Sequence, residues 1–496
     1  MKAFMVVASI VVALAACSNE TPVSRTSLSV DGPIQLHPEN PHYFIFKGKP
    51  LALITSAEHY GAVLNLDFDY KKYLEILAAD GMNYTRIFTG TYYEIAGESF
   101  GIQKNTLAPQ KDRVITPWIK IGTNKSGYAR YDLSKWNEMY FERLKDFIEV
   151  AAANNIIVEV TLFSSIYRDE HWDMCPQNPV NNVNIPHSVT RFDAQTVKNG
   201  DLFSYQESFV RKMVNELNQY DNFFFEIQNE PWADHRVLVY NIINKELSDE
   251  DWRQKAAFAD ADAMAWQQKL AAIIVDEENS LAKKHLIAQN YTNHKAPIPE
   301  VDDNVSIMNF HYAWPEAVRW NYHYSKVIGF DESGFAGSGD TVYRRQAWRF
   351  MLSGGGLFNN LDYSFFVGHE DGTGVNKAPG GGSKTLRRQL KILSDFLHSF
   401  ELIKLYPNLD CIESSPGLIP YILSDENKAY AVFLQAIGTD TSTLKLKTGD
   451  GVYQVQLLNT ITGSYVDGGT VEAIGGVISI PLEIPEGDLA LKIVRE

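Results

Sequence analysis

Cysteine is almost missing from this chain: there are three in 496 residues, and one of them, Cys17, closes an apolar leader. The other two, Cys175 and Cys411, lie far apart in sequence, which excludes a disulfide framework, and neither has the partner spacing of a zinc site. Positive charge is also in short supply. Against 61 Asp and Glu stand 45 Lys and Arg, a net charge of -16 that disfavours a protein tracking nucleic-acid phosphates. Long apolar runs are lacking too, since the compact run from Ala3 to Ala13 is too short to serve comfortably as a permanent membrane span. No internal repeat or low-complexity tract stands out. What the chain has in quantity is aromatic side chains, 12% of residues with 25 Tyr and 9 Trp, whose first use is core packing.

The leader reads as a processing signal. Lys2 supplies a short positive start, the apolar run follows, and Leu14-Ala15-Ala16 places small residues directly before Cys17. This resembles the lipobox of bacterial lipoproteins, which implies a signal over 1–17, acylation of Cys17 and lipid anchoring in the bacterial cell envelope, on the outer membrane facing the periplasm or the surface. Residues 18–28 are polar and aperiodic, as a tether is. The remainder is too long for one compact core and suits a barrel of about 250 residues or more plus a smaller domain.

Between about residues 50 and 403, strand and helix signals alternate. Strands are expected at Leu51–Thr55, Tyr84–Phe88, Ile156–Phe163, the run ending at Glu230, His285–Gln289, Val305–Phe310, Val327–Asp331 and Leu357–Leu361. Helices are expected near Asp69–Ala79, Lys135–Asn154, up to Leu217, Asp251–Lys283 and Thr385–Phe400, with none between the fifth and sixth strands. Such alternation argues a parallel sheet, and eight units argue closure into a (β/α)8 TIM barrel over 29–403, after a short N-terminal β extension. From 404 to 496 the texture changes to short β segments separated by turn signals such as Gly449-Asp450-Gly451, which predicts a C-terminal antiparallel β-sandwich.

The chemistry-bearing stretch is Phe223-Phe224-Phe225-Glu226-Ile227-Gln228-Asn229-Glu230-Pro231, a buried strand that stops at a proline and delivers a carboxyl group to its C-terminal end. That end is where barrel enzymes keep their catalysts. Strict alternation puts Glu226, Gln228 and Glu230 on one face and Asn229 on the other, with Glu226 deeper and structural. A second carboxyl, Glu332, ends the strand Val327-Ile328-Gly329-Phe330-Asp331, and the same alternation turns Asp331 away from the cleft. Glu58 and Glu94 also follow strands and compete with Glu332 for the partner role. Two carboxyls at strand ends are the raw material for acid/base and nucleophilic work on a glycosidic bond.

On these residues the chain resembles a clan A glycoside hydrolase, the group that includes the family 5 cellulases and mannanases. The resemblance implies Glu230 as acid/base and Glu332 as nucleophile of a retaining β-glycosidase, with Asn229 on the sugar and Arg86 supporting the nucleophile. It implies a site histidine at His311. Nothing in the sequence suggests a metal or organic cofactor. Departures are visible: Tyr312 adjoins His311 where the family spaces His-x-Tyr, the third strand ends Leu162-Phe163-Ser164-Ser165 without a histidine, and the eighth offers Asn359-Asn360-Leu361-Asp362-Tyr363 in place of a tryptophan. His59, Trp232, Tyr312, Trp314, Asp362 and Tyr363 follow strand ends and are candidate subsite residues. The partner implied is a poly- or oligosaccharide. The alternatives are a catalytically silent, lipid-anchored glycan-binding protein on the same barrel, against which the carboxyls at both strand ends argue, and a transglycosylase, which shares every residue named.

Overall fold

The computed structural model describes residues 31–97, 99–241, 252–484 and 486–496. The leader, tether and Cys17 lie outside the described residues. Eight parallel strands form one sheet: β1 (Leu53–Ala57), β2 (Tyr84–Phe88), β3 (Ile157–Ser164), β4 (Phe223–Asn229), β5 (Ile287–Asn293), β6 (Ile307–His311), β7 (Val327–Ser333) and β8 (Leu357–Leu361). Hydrogen-bonded neighbours run β1-β8-β7-β6-β5-β4-β3-β2, so the two ends of the sheet, β1 and β2, meet to close the barrel. No ladder spans that seam. The Asn83 amide bridges it, accepting from Ile54 N at 2.9 Å and donating to Ala52 O at 2.9 Å. The fold is a TIM barrel followed by a β-sandwich.

The helices α1 (Tyr70–Ala79), α2 (Glu138–Ala153), α3 (Leu202–Leu217), α4 (Ala261–Asn279), α5 (Pro315–Asn321), α6 (Asp340–Met351) and α7 (Lys384–His398) cover the barrel. None among the described residues is long and apolar enough to cross a membrane. Below the barrel a small sheet of Gln35–Leu36, Phe44–Phe46 and Lys49–Leu51 acts as a plug, with the Phe44 ring 6.3 Å from Phe224 of β4 in a layer shared with Tyr84, Ile157 and Val327. This is why β1 begins at Leu53 rather than Leu51: the preceding residues are drawn into the plug.

Other departures from expectation have local causes. Lys255–Ala259 is extended rather than helical because it pairs with Arg236–Asn241 as a ribbon, and α4 starts only where Asp260 accepts from Ala263 N. The region between β2 and α2, where the sequence shows neither a strand nor a helix signal, contains the hairpin Trp118–Thr123 with Ala129–Trp136. The fifth strand is shifted, running to Asn293.

The C-terminal region comprises a six-stranded and a three-stranded antiparallel sheet with a core of their own, including Val432, Leu444, Val455, Ile480 and Leu491. The outer face of the larger sheet packs on α6. Trp348 stacks on Phe433 at 5.3 Å, and Asp488 receives Arg344 and, at 2.7 Å, Arg345. Arg349 adds a hydrogen bond to Gln435 across the same face.

Candidate active site

Arg86 on β2 projects into the barrel and is fully buried. Its Nε donates to Glu226 at 2.9 Å, one Nη group donates to Glu226 and to Asn229 Oδ1 at 2.8 Å, and Asp331 stands 3.5 Å away. Around this guanidinium, Thr161 donates to Glu226 at 2.6 Å, Asn290 donates to Glu226, and Asn309 donates to Glu159 at 2.8 Å. One oxygen each of Glu159, Glu226 and Asp331 lies within 4.8 Å of the others. Burial, with Glu226 nearby, holds Glu159 well above the usual carboxylate range, and burial also raises Glu226. Burial opposes ionisation of Asp331 as well, but His311 and Arg86 overcome it and hold that carboxyl low. This polar floor lies above the apolar layer of Tyr84, Ile157, Phe224 and Val327 and beneath the strand-end carboxyls.

The second tier sits one layer higher. His311 at the end of β6 places Nδ1 2.9 Å from Glu230 Oε1 and 3.6 Å from Glu332 Oε2, while Nε2 faces Asp331 at 3.3 Å. One carboxylate oxygen from each glutamate and a ring nitrogen of His311 all lie within 4.8 Å of one another. Burial works against a charged imidazole, yet Asp331, Glu332 and the contacts to Asp331 and Glu230 raise its proton affinity well above the ordinary value. Tyr312 donates to Glu332 Oε1 at 2.6 Å, and Tyr167 donates to Glu230 Oε2 at 2.9 Å while receiving Asn229 Nδ2 at 2.7 Å. Burial pushes Glu332 up to about 7 against the pull of His311, with the charge of Glu230 adding to the rise and Arg86 resisting it.

Strict strand alternation does not survive to the strand ends. On β7, Asn309 and His311 of β6 face Gly329 and Glu332, and Phe358 and Asn360 of β8 face Phe330 and Ser333. Both neighbours therefore see one extra residue, a β-bulge that turns Asp331 into the barrel together with Glu332. The expectation that Asp331 points away is corrected by that bulge. On β4, pairing with β5 is confined to Phe225 and Glu226, so the freed strand end rotates. Gln228 turns out to Gln195 at 2.6 Å, and Asn229 turns in to Arg86, the reverse of their expected faces.

Above the carboxyl pair is a pocket of about 50 Å³ lined by His59, Tyr60, Phe88, Tyr92, Glu94, Phe100, Leu107, Tyr167, Asn229, Glu230, Tyr312, Glu332 and Phe335. Of the eleven described non-glycine residues with left-handed φ, six line it: Tyr60, Phe100, Tyr167, Glu230, Tyr312 and Phe335. Each such residue costs of order 1–3 kcal/mol, and strain gathered at one pocket marks a site whose side-chain directions matter. Tyr312 shows the use. Its φ of 50° returns the side chain to the same interior that adjacent His311 faces, so the missing spacer residue of His-x-Tyr is replaced by a backbone turn.

Of the residues singled out in the sequence, Glu230, Glu332, Asn229, His59 and Tyr312 meet at the pocket, and Arg86 and His311 lie directly beneath it. Arg86 spends its hydrogen bonds on Glu226 and Asn229, and reaches Glu332 only at 3.5 Å. Trp232 is buried edge-on against His311 at 5.4 Å, and Tyr363 is buried beside His59 at 5.7 Å. Trp314 is half-buried just before α5, with Lys295 Nζ 4.1 Å above its ring, and is not part of the pocket lining. One candidate belongs elsewhere: Asp362 is fully buried in an ion pair with Arg387 at 2.6 Å. Glu58 is likewise structural, accepting from Gly61 N and Ala62 N at 3.1 Å. Tyr167 lies in the long loop after the third strand where the sequence locates substrate choice, but sequence reasoning did not place Tyr60, Tyr92, Phe100 or Phe335 at the site. Their only shared signal, an aromatic one or two residues past a strand or within a following loop, is too common to select them.

No protein-family model and no curated protein matches the sequence. Solved structures do match in shape. A candidate glycoside hydrolase from Bacteroides vulgatus ATCC 8482 superposes with a TM-score of 0.66 at 11% identity over 94% of this chain and 82% of its own. A glycoside hydrolase family 5 protein from the same organism gives 0.60 at 12% identity, covering 94% of each chain. At such identities the likeness shows the fold, barrel and sandwich together, to be one that glycoside hydrolases use.

Proposed function

We propose that this protein is a retaining glycoside hydrolase acting on β-linked poly- or oligosaccharide, with Glu230 as acid/base and Glu332 as nucleophile. The observation that carries the reading is the approach of the two carboxyl groups, one oxygen of each within 4.8 Å at the C-terminal ends of β4 and β7. Retention is associated with carboxyls about 5–5.5 Å apart and inversion with roughly 6.5–9.5 Å, the room a water needs. The shared fold supports glycosidase chemistry at the coarse level.

In the first step Glu230 gives its proton to the departing glycosidic oxygen while a Glu332 oxygen forms a bond to the anomeric carbon and the C–O bond breaks. In the second, Glu230 takes a proton from water, whose oxygen attacks the same carbon and releases Glu332 as carboxylate. Tyr312 fixes the rotamer of Glu332, and Tyr167 that of Glu230. His311, whose proton affinity Asp331 raises, offsets the negative charge that two close carboxyls concentrate, which lets one remain ionised beside the other.

Trapping with a 2-fluoro aryl glycoside and peptide mass mapping tests the assignment. A label on Glu332 and a product of retained anomeric configuration are expected; a label on Glu94 or an inverted product removes it. Products longer than the substrate at high sugar concentration mark transglycosylation on the same site. We further propose envelope anchoring through Cys17, for which Cys17→Ser expressed in a bacterial host shifts the protein from the detergent phase to the aqueous phase.

A further inference from the structure

One acid at this pocket is idle in the mechanism. Glu94 lines the pocket with the catalytic pair, is 4% exposed, and forms no ion pair among the described residues. Tyr92 donates to it at 3.0 Å and Asn105 donates to its other oxygen, which leaves acceptor sites on a carboxylate that offers about four. His59 stands on the same lining, 9% exposed, with Nδ1 lacking a hydrogen-bond partner. Burial, aided by the charge of Arg86, lowers its pKa to about 3, so the ring is neutral and its free nitrogen is a hydrogen-bonding group for something other than a charge.

One short segment sets both groups. Asn105 holds Glu94, Thr106 donates to His59 O at 2.9 Å and to Glu58, and Leu107 O receives Glu94 N at 2.8 Å while its side chain lines the pocket. Gly61 allows the approach, because a Cβ there would collide with the Thr106 carbonyl. The connection after β2 is thereby pinned against the connection after β1 as a wall. The free volume, about 50 Å³, is well below the roughly 300–1,000 Å³ of small-molecule pockets, so the pocket takes in one end of a sugar chain and has no room for a chain running through.

We infer that this wall closes the pocket around one terminal, uncharged sugar residue, with Glu94 accepting from its hydroxyls and His59 completing the contact, so that cleavage is exo. The inference rests on the glycosidase reading for the cut, and on the pocket alone for the binding. Glu94, Glu230 and Glu332 line the space and no lysine or arginine does, among the described residues. A uronate carboxylate or a sulfate ester entering it meets three carboxyls on the lining, and the arginines that adjoin it stand outside, Arg86 engaged with Glu226 and Asn229 and Arg168 over the Phe100 ring, whereas a hydroxyl donates to those carboxyls.

The test separates binding from turnover. Glu332→Gln protein is titrated calorimetrically with glucose, galactose, mannose, xylose and N-acetylglucosamine, and with glucuronate and galacturonate. At least one neutral sugar is expected to bind at least tenfold more tightly than either uronate, and adding Glu94→Ala or the shape-conserving Glu94→Gln is expected to weaken that sugar at least tenfold. Equal or tighter uronate binding, no binding by any of the seven, or indifference to both Glu94 variants overturns the inference. Wild-type protein acting on end-labelled oligosaccharides is expected to release single residues from one end, and internal cuts from the first time point overturn the exo reading. Normal sugar binding with no turnover by wild type on any glycoside sinks the hydrolase proposal and leaves the binding result standing.

Discussion

Two clusters of acid groups occupy successive layers of the same barrel, and within each the chosen atoms lie within 4.8 Å: Glu159, Glu226 and Asp331 below, Glu230, His311 and Glu332 above. Their ingredients are nearly alike. Their surroundings differ. The lower carboxyls have 0% side-chain exposure and share Arg86, whereas Glu230 and Glu332 retain 13% and 8% and open on a pocket. The lower cluster is held by fixed hydrogen-bond donors and is spent on structure, while the upper one keeps faces free for a ligand. Position along the barrel axis, not residue type, separates a scaffold from a reagent.

The sharpest way to break this contrast is substitution in each layer. Glu332→Gln should lower kcat by roughly 10⁴–10⁶-fold, as loss of a nucleophile does, and Glu230→Gln by roughly 10²–10⁴-fold, with urea midpoints close to wild type. Steady-state kinetics beside equilibrium unfolding reads both, and an unfolding midpoint that collapses with Glu332→Gln would merge the two layers. Arg86→Met should do the converse first. Removing one partner of a buried ion cluster costs about 3–5 kcal/mol, so the unfolding midpoint should drop markedly. Unchanged stability would show the lower layer to be no scaffold.

The pH dependence sharpens the comparison further. Glu332 must be ionised to attack and burial pushes it up to about 7, so kcat/KM should fall as pH drops below about 7. Stability should run the other way. Burial raises Glu58 and Glu94 to about 7 as well, against an ordinary value of 4.5. A carboxyl whose proton affinity rises on folding contributes stability fully below its unfolded value, and that contribution is lost as pH climbs through the folded one. Unfolding midpoints should therefore decline from about pH 5 to 8 while kcat/KM rises, and parallel slopes would contradict the assignment. The smallest effect is expected of Tyr312→Phe, which removes one hydrogen bond to Glu332. At about 0.5–1.5 kcal/mol it should cost a few-fold to roughly tenfold in kcat/KM and shift the acid limb upward, measurable in a pH–rate profile.

Legibility in the sequence followed how local each cause was. β2 and β8 match their expected spans because both are short segments with apolar ends, Tyr84 and Phe88 in one and Leu357 and Leu361 in the other, and Glu230 is marked by the proline that ends its strand. The strand Tyr465–Glu472 went unread because most of its residues are exposed and show no apolar alternation. The ribbon at Lys255–Ala259 went unread because its partner strand, not its composition, makes it extended. Among acids past strands, nothing local distinguishes Glu58, Glu94 and Glu332: one caps a turn, one faces a pocket wall, and one meets Glu230.

The sequence by itself determined the alternating order of strands and helices, the β-rich ending, and the delivery of Glu230 and Glu332 to strand ends, since these follow from periodicity and chain breaks. Only the tertiary structure decided which faces those ends present. The bulge on β7, the freed end of β4 and the left-handed turns at Glu230 and Tyr312 arise from pairing with distant strands and from ring closure. Those constraints act between segments, where a pattern read along the chain does not reach.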